Sequence, residues 1–189
     1  KIVKINYICC KFKLKMTTIT QAVESTASEI KKVLHPLVSE WFFSKFKEFS
    51  LPQKYGVLNI WKRKNILISA ETGGTKTLTA FLSILNYLVI LAEKQELENK
   101  IYAVYTSPLK ALSNDIHKNL IEPLQEIYEL AEKKGIKLQK IRVALRTGDT
   151  TTEERAKMLK NPTHIFVTTP ESLAIILTSK KFVENMRAV

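Results

Sequence analysis

The chain is poor in the residues that bend a backbone, cross-link it or bind metal. Of 189 residues five are glycine and two are cysteine. Cys9 and Cys10 are neighbours with no second pair, which excludes a disulfide framework and a zinc site built from two cysteine pairs. Such cysteine usage fits a reducing compartment, and a cytoplasmic location is expected. No apolar run reaches the roughly 20 residues of a membrane span. The opening stretch, residues 1–10, is too short and too interrupted by lysine for a secretory signal; no membrane partner is expected. Aspartate is scarcest of the acids: Asp115 and Asp149 are the only two, and neither precedes a glutamate.

Positive charge is abundant. Thirty Lys and Arg against eighteen Asp and Glu give a net charge of +12. Lys1, Lys4, Lys11, Lys13 and Lys15 fall in the first fifteen residues, with no acid among them. A polyanion, most commonly nucleic acid, is the expected partner, although charge alone serves solubility equally well. The first methionine is Met16, so residues 1–15 read as a basic arm upstream of the natural start. Apolar content of 45% and charged content of 25% suit one α/β domain with a sizeable core.

Periodicity predicts helices over Thr17–Leu34 and Leu37–Phe49, the second with an aromatic face of Trp41, Phe42 and Phe46. A capped turn at Ser50–Gln53 precedes a short helix to Lys62. Residues 16–49 thus form a helical N-terminal segment. From Ile66 strands and helices alternate. Strands are expected at Ile66–Ala70, Tyr102–Thr106, Ile141–Leu145 and His164–Thr168. Helices are expected at Lys76–Lys94, Leu109–Lys134, Thr152–Leu159 and Glu171–Leu177. Short apolar strands with intervening helices make a parallel sheet flanked by helices. Met186-Arg187-Ala188-Val189 read as the opening of a further strand, so the fold is expected to break off within a core strand.

The most specific segment is Ala70-Glu71-Thr72-Gly73-Gly74-Thr75-Lys76-Thr77, between an apolar strand and a long helix. Such a loop converges backbone N–H groups and a helix N-terminus on a phosphate. In the usual pattern the lysine follows a glycine and reaches the β/γ-phosphates, and the next hydroxyl holds Mg²⁺. Here Thr75 takes the glycine's place. A β-branched residue is poorly suited if that position requires positive φ.

This loop resembles the A-P-T-G-S-G-K-T motif of superfamily-two helicases, and four more segments agree in order and spacing. Phe46-x-x-Phe49-x-x-Pro52-Gln53 resembles the Q motif, and Ser107-Pro108-Leu109-Lys110-Ala111-Leu112-Ser113-Asn114-Asp115 resembles motif Ia. Arg146-Thr147-Gly148-Asp149-Thr150 is similar to a loop of the large helicase-related branch. Thr168-Thr169-Pro170-Glu171-Ser172-Leu173 is close to motif Ib. The resemblance implies a RecA-like P-loop domain of the large helicase-related or DEAD/DEAH-box type over residues 50–189, ending before its Walker B strand is complete.

It also implies the ligands. ATP would be held by Gln53 at the adenine and by Thr72, Gly73, Gly74, Thr75, Lys76 and Thr77 at the phosphates, with Thr77 on Mg²⁺. A nucleic acid strand, DNA or RNA, would lie on Pro108, Leu109, Lys110, Arg146, Thr147, Gly148, Thr168, Thr169, Pro170 and Glu171. Contacts of that kind grip phosphates without reading bases, so binding should weaken with salt. Hydrolysis in the family uses an Asp-Glu pair at a strand's end, which these residues lack. This stretch alone is therefore expected to be inactive, with the remaining motifs on a separate chain. The alternative is a nucleic-acid-binding module without nucleotide chemistry.

Overall fold

In the computed structural model residues 20–71, 75–108, 115–186 and 189 are described. They divide into two units, one holding residues 20–71, 75–96 and 115–139, the other 97–108, 140–186 and 189.

The first unit is helical. Helix α1 (Ala27–Val33) is started by a capping box: the Thr26 hydroxyl accepts from the Glu29 backbone N–H, and the Glu29 carboxylate accepts from the Thr26 N–H at 2.7 Å. Two donors that a helix start leaves orphaned are thereby satisfied. The expected helix from Thr17 is corrected accordingly, since residues 20–25 are not helical. Helix α2 (Pro36–Lys45) follows, with Pro36 in the first turn, where its missing N–H costs nothing. It stops at Lys45 rather than Phe49, and Phe49 turns back to stack on Phe42 with ring centroids 4.8 Å apart. Helix α3 (Leu51–Trp61) takes the expected Ser50–Gln53 turn as its own first turn, because Gln53 Oε1 accepts from the Ser50 N–H at 2.8 Å.

Helix α4 (Lys76–Glu93) is the centre of this unit, with Phe81, Leu82, Leu85, Leu88 and Val89 fully buried. Its 18 residues are apolar enough to cross a membrane on composition alone, but most of them are buried within the protein, as in a core helix. Gly56 lets α3 close onto α4. A Cβ there would lie 2.5 Å from Thr79 Cγ2 and 2.8 Å from Ile68 Cδ1, closer than side chains can approach. Ahead of helix α5 (Glu122–Lys133), residues His117–Ile121 form a π-helical turn, closed by the Glu122 N–H donating to the His117 carbonyl. Pro123 explains it: lacking an N–H, it cannot donate to the carbonyl four residues back.

The expected strand Ile66–Ala70 is not a strand. Its side chains alternate as a strand's would, with Ile68 buried and Leu67 47% exposed. Among the described residues, however, no neighbour pairs with its backbone. Alternation sets which side is buried, and a ladder needs a second chain segment.

The second unit is built on a parallel sheet of β1 (Ala103–Thr106), β2 (Val143–Arg146) and β3 (Ile165–Thr168) in the order β1-β3-β2. Thr106, Thr168 and Arg146 stand in register at the carboxyl ends. Every residue of the central strand is buried, as a parallel strand covered on both faces requires. Helix α6 (Thr152–Lys160) joins β2 to β3, and α7 (Pro170–Ile176) follows β3. Helix α8 (Lys180–Asn185) was not expected. Met186 ends it and is buried with Ile101, Phe166, Leu173, Ile176 and Phe182. The expected strand therefore does not open at Met186, and Arg187 and Ala188 lie outside the described residues.

Candidate nucleotide and strand-contact sites

The first unit holds the candidate nucleotide loop. Thr72, Gly73 and Gly74 lie outside the described residues. Thr75 is the N-cap of α4 and has φ 56° and ψ 14°, the left-handed region that favours glycine. The position does require positive φ, and a β-branched residue fills it at a cost of about 1–3 kcal/mol. Its surroundings hold it. The Thr75 carbonyl accepts from the Thr79 N–H at 2.8 Å and from Thr79 Oγ1 at 2.9 Å. Its hydroxyl is 2.5 Å from Ser50 Oγ.

That last contact ties the loop to the start of α3, and so to Gln53. Gln53 is 1% exposed, and its Nε2 is buried with no partner among the described residues. An unsatisfied buried amide costs about 1–3 kcal/mol, and this donor, in the helix that Ser50 ties to the loop, lacks an acceptor among the described residues. Lys76 folds back over the loop, its ammonium donating to the carbonyls of Ala70 at 2.8 Å and Glu71 at 2.5 Å. A lysine so held needs only a side-chain rotation to exchange carbonyl for phosphate oxygens. A cavity of about 640 Å³ opens here, lined by Trp41, Phe46, Thr75, Lys76 and Thr77 among others. That lies within the range of small-molecule sites. On its far wall burial opposes the charge of Glu126, but donors from Lys45 and Trp41 (the latter at 2.7 Å) outweigh this and hold its pKa below the usual carboxylate range.

These features fit an adenine nucleotide: a buried amide donor, a lysine on the loop and a helix start. They say less about Mg²⁺. Thr77 would offer one hydroxyl, and among the described residues no group of three or more His, Cys, Asp or Glu converges as metal ligands would.

The second unit carries the candidate strand contacts. Leu109 and Lys110 lie outside the described residues, while Pro108, Gly148, Pro170 and Glu171 are exposed. Thr168 is fully buried and donates to the Arg146 carbonyl at 2.8 Å. Thr169 caps α7, accepting from the Ser172 N–H and donating to Ser172 Oγ. Both hydroxyls already make hydrogen bonds within the protein. The turn after β2 is closed by the Thr147 N–H donating to Thr150 Oγ1 at 2.9 Å. Arg146 lies over the Phe182 ring, 5.5 Å from its centroid.

Sequence reasoning passed over Ser50, Gly56 and Arg155 as parts of these sites. A glycine inside a helix signals close approach, and Gly56 carried that signal. Nothing local marked Ser50 as a partner of Thr75.

A parallel sheet flanked by helices, and a loop opening a long core helix, are features of part of a RecA-like α/β domain. The family model for the DEAD/DEAH box helicase matches residues 51–189, and the chain belongs to that family. It is similar to the ATP-dependent helicase Lhr-Core protein 2 of Thermococcus barophilus, at 52% identity over 166 residues, covering 88% of this chain and 19% of that protein. It is also similar to the ATP-dependent helicase Lhr-Core of Methanothermobacter thermautotrophicus, at 51% identity, covering 87% of this chain and 19% of the relative. Among solved structures, the Mycobacterium smegmatis helicase Lhr bound to ssDNA and AMP-PNP matches with a TM-score of 0.71 and 36% identity, over 82% of this chain and 19% of that one. The chain thus spans about a fifth of the length of these relatives.

Proposed function

We propose that residues 50–189 contribute the ATP-binding and strand-contacting part of the first motor domain of an ATP-dependent nucleic acid helicase. The observation that carries this reading is the contact of Ser50 with Thr75. It joins the helix that bears the unpartnered Gln53 amide to the loop that bears Lys76. In this reading Gln53 donates to the adenine edge, Lys76 neutralises phosphate charge, and backbone N–H groups of residues 72–77 complete the cradle. Thr77 is the magnesium ligand from this stretch. Bound ATP·Mg²⁺ supplies the phosphoryl group whose hydrolysis drives the family's work, and the residues named here bind and orient it. No Asp-Glu pair occurs in the sequence, so we assign no hydrolysis to this stretch alone.

The strand would lie on Pro108, Leu109, Lys110, Arg146, Thr147, Gly148, Pro170 and Glu171, with Thr168 and Thr169 shaping the turns rather than touching it. The relative solved with ssDNA and AMP-PNP supports both ligand assignments. The test is thermal unfolding with and without ATP·Mg²⁺. A ligand of the native state at a hundredfold excess over Kd stabilises by about 2.7 kcal/mol, or roughly 5–10 °C for a chain of this size. That rise should vanish in Lys76→Ala. Strand binding with no thermal response in either protein would instead favour a module without nucleotide chemistry.

A further inference from the structure

Arg155 plays no part in the reading above, yet its surroundings suit an anion. It lies on α6, one turn beyond the Thr151 cap, and its Nη2 donates to the Gly148 carbonyl at 3.0 Å. Its Nε is buried and has no partner among the described residues. Arg146, across the same turn, is half-buried. Its pKa is pushed below the usual guanidinium value, first by burial and then by the charge of Arg155. Two guanidiniums flanking one turn, each partly desolvated, would ordinarily be balanced by a carboxylate. Among the described residues neither arginine has a carboxylate oxygen within 4.0 Å. The nearby acids are engaged or exposed: Glu154 is taken up by Thr151, and Asp149 and Glu153 are exposed. The turn between the arginines is open, since a Cβ built on Gly148 would meet nothing within 4 Å.

We propose that Arg146 and Arg155 together form a cradle for one backbone phosphate of a single-stranded nucleic acid, with Gly148 leaving room for the approach. This rests on the strand-binding reading given above and adds a second arginine to it. A phosphate supplies the negative charge that neither guanidinium finds in a carboxylate, and planar guanidinium forks match its geometry. The hydrogen bond to Gly148 fixes Arg155 in place beforehand, so little side-chain freedom is lost on binding.

The test uses the full chain and a fluorescent single-stranded oligonucleotide, with affinity measured from 50 to 300 mM salt for wild type, Arg155→Gln, Arg155→Lys and Lys140→Gln. In Arg155→Gln the slope of log K against log salt should become shallower by roughly 0.7, the loss of one phosphate contact on a single strand, and affinity at low salt should fall about tenfold. Arg155→Lys should keep the slope while losing part of the affinity, because charge remains and the fork does not. Lys140→Gln, outside the cradle, should leave the slope within error. If Arg155→Gln proves unfolded by circular dichroism, Arg155→Lys decides alone, and affinity equal to wild type would overturn the cradle. A wild type that binds the strand, with Arg155→Gln unchanged in slope, overturns the cradle and leaves the strand-binding reading standing. A wild type that does not bind overturns both.

Discussion

Ser50 Oγ and Thr75 Oγ1 stand 2.5 Å apart, joining the first turn of one helix to the N-cap of another 25 residues on. The bond gives the left-handed threonine a partner outside its own loop. It also brings two motifs together that the sequence shows only as separate segments.

Thr75 is therefore strained and held at once, and two substitutions separate the effects. Thr75→Gly removes the Cβ penalty of about 1–3 kcal/mol but loses a hydrogen bond worth about 0.5–1.5 kcal/mol. Its stability should equal or slightly exceed wild type, and its thermal response to ATP·Mg²⁺ should be the larger. Thr75→Val keeps the branching without the hydroxyl and should lose about 1 kcal/mol. Urea unfolding of the three proteins checks the order. A glycine variant markedly less stable than valine would show that strain is not what governs this position.

Gly56→Ala should be costly although alanine is the better helix former. The added carbon meets Thr79 and Ile68 well inside contact distance, and overpacking of this kind costs about 1–3 kcal/mol. Because Thr79 also bonds to Thr75, the displacement should weaken any ATP·Mg²⁺ response in the same variant. Urea midpoints and thermal shifts measure the two effects, and an alanine variant as stable as wild type would mean that α3 and α4 can part at no cost.

His164 predicts a pH dependence. It is 2% exposed, and its pKa is lowered to about 4, chiefly by burial and then by Arg142. Its Nδ1 accepts from the Arg142 N–H at 3.0 Å, which requires the neutral ring. Unfolded chains take up this proton near pH 6.5, while the folded one refuses it until about pH 4. The unfolded state thus binds more protons in that window, and stability should fall as pH drops through it. His164→Asn offers an oxygen where Nδ1 was and does not titrate. Denaturation between pH 7.5 and 4.5 should show a shallower decline in this variant than in wild type.

Thr151→Ala should cost about 1 kcal/mol by removing the α6 capping box. The Glu154 carboxylate, whose pKa is lowered first by a hydrogen bond from the Thr151 backbone and then by one from its hydroxyl, should return only part of the way to its ordinary value, since alanine keeps the backbone N–H. A depressed carboxylate stabilises above its unfolded pKa and loses that contribution as pH falls through the folded one. The difference between wild type and variant should therefore narrow in acid. Circular dichroism melts at pH 7 and pH 3 test this, and a difference independent of pH would count against the box.

Local signals were legible where they were sufficient in themselves. Thr151 with Glu154 is a capping box that puts the start of α6 where periodicity does, and Pro36 and Pro170 occupy first turns. Thr26 with Glu29 is also a capping box, but helical spacing alone runs back to Thr17 and misses it. The apolar periodicity of Lys76–Glu93 and the four-residue strands were equally plain. Ile66–Ala70 shows the limit. Its alternation is that of a strand, but hydrogen-bond pairing belongs to two segments and cannot be read from one. Helix α8 was missed because it is six residues long and packs through Phe182, with no regular apolar face.

The sequence by itself determined the lineage: a phosphate-type loop, four further motifs in order, and a composition rich in positive charge. Those depend on residue identity and spacing, which a linear text preserves. Only the tertiary structure decided what each motif residue is free to do. It set Thr75 at positive φ, gave the hydroxyls of Thr168 and Thr169 to the protein's own backbone and side chains, and brought Ser50 to the loop. It also left Gln53 and Arg155 with buried donors lacking partners among the described residues. Burial and hydrogen-bond partners depend on groups far apart in the chain, and these fix whether a polar atom is already satisfied or still has a bond to give.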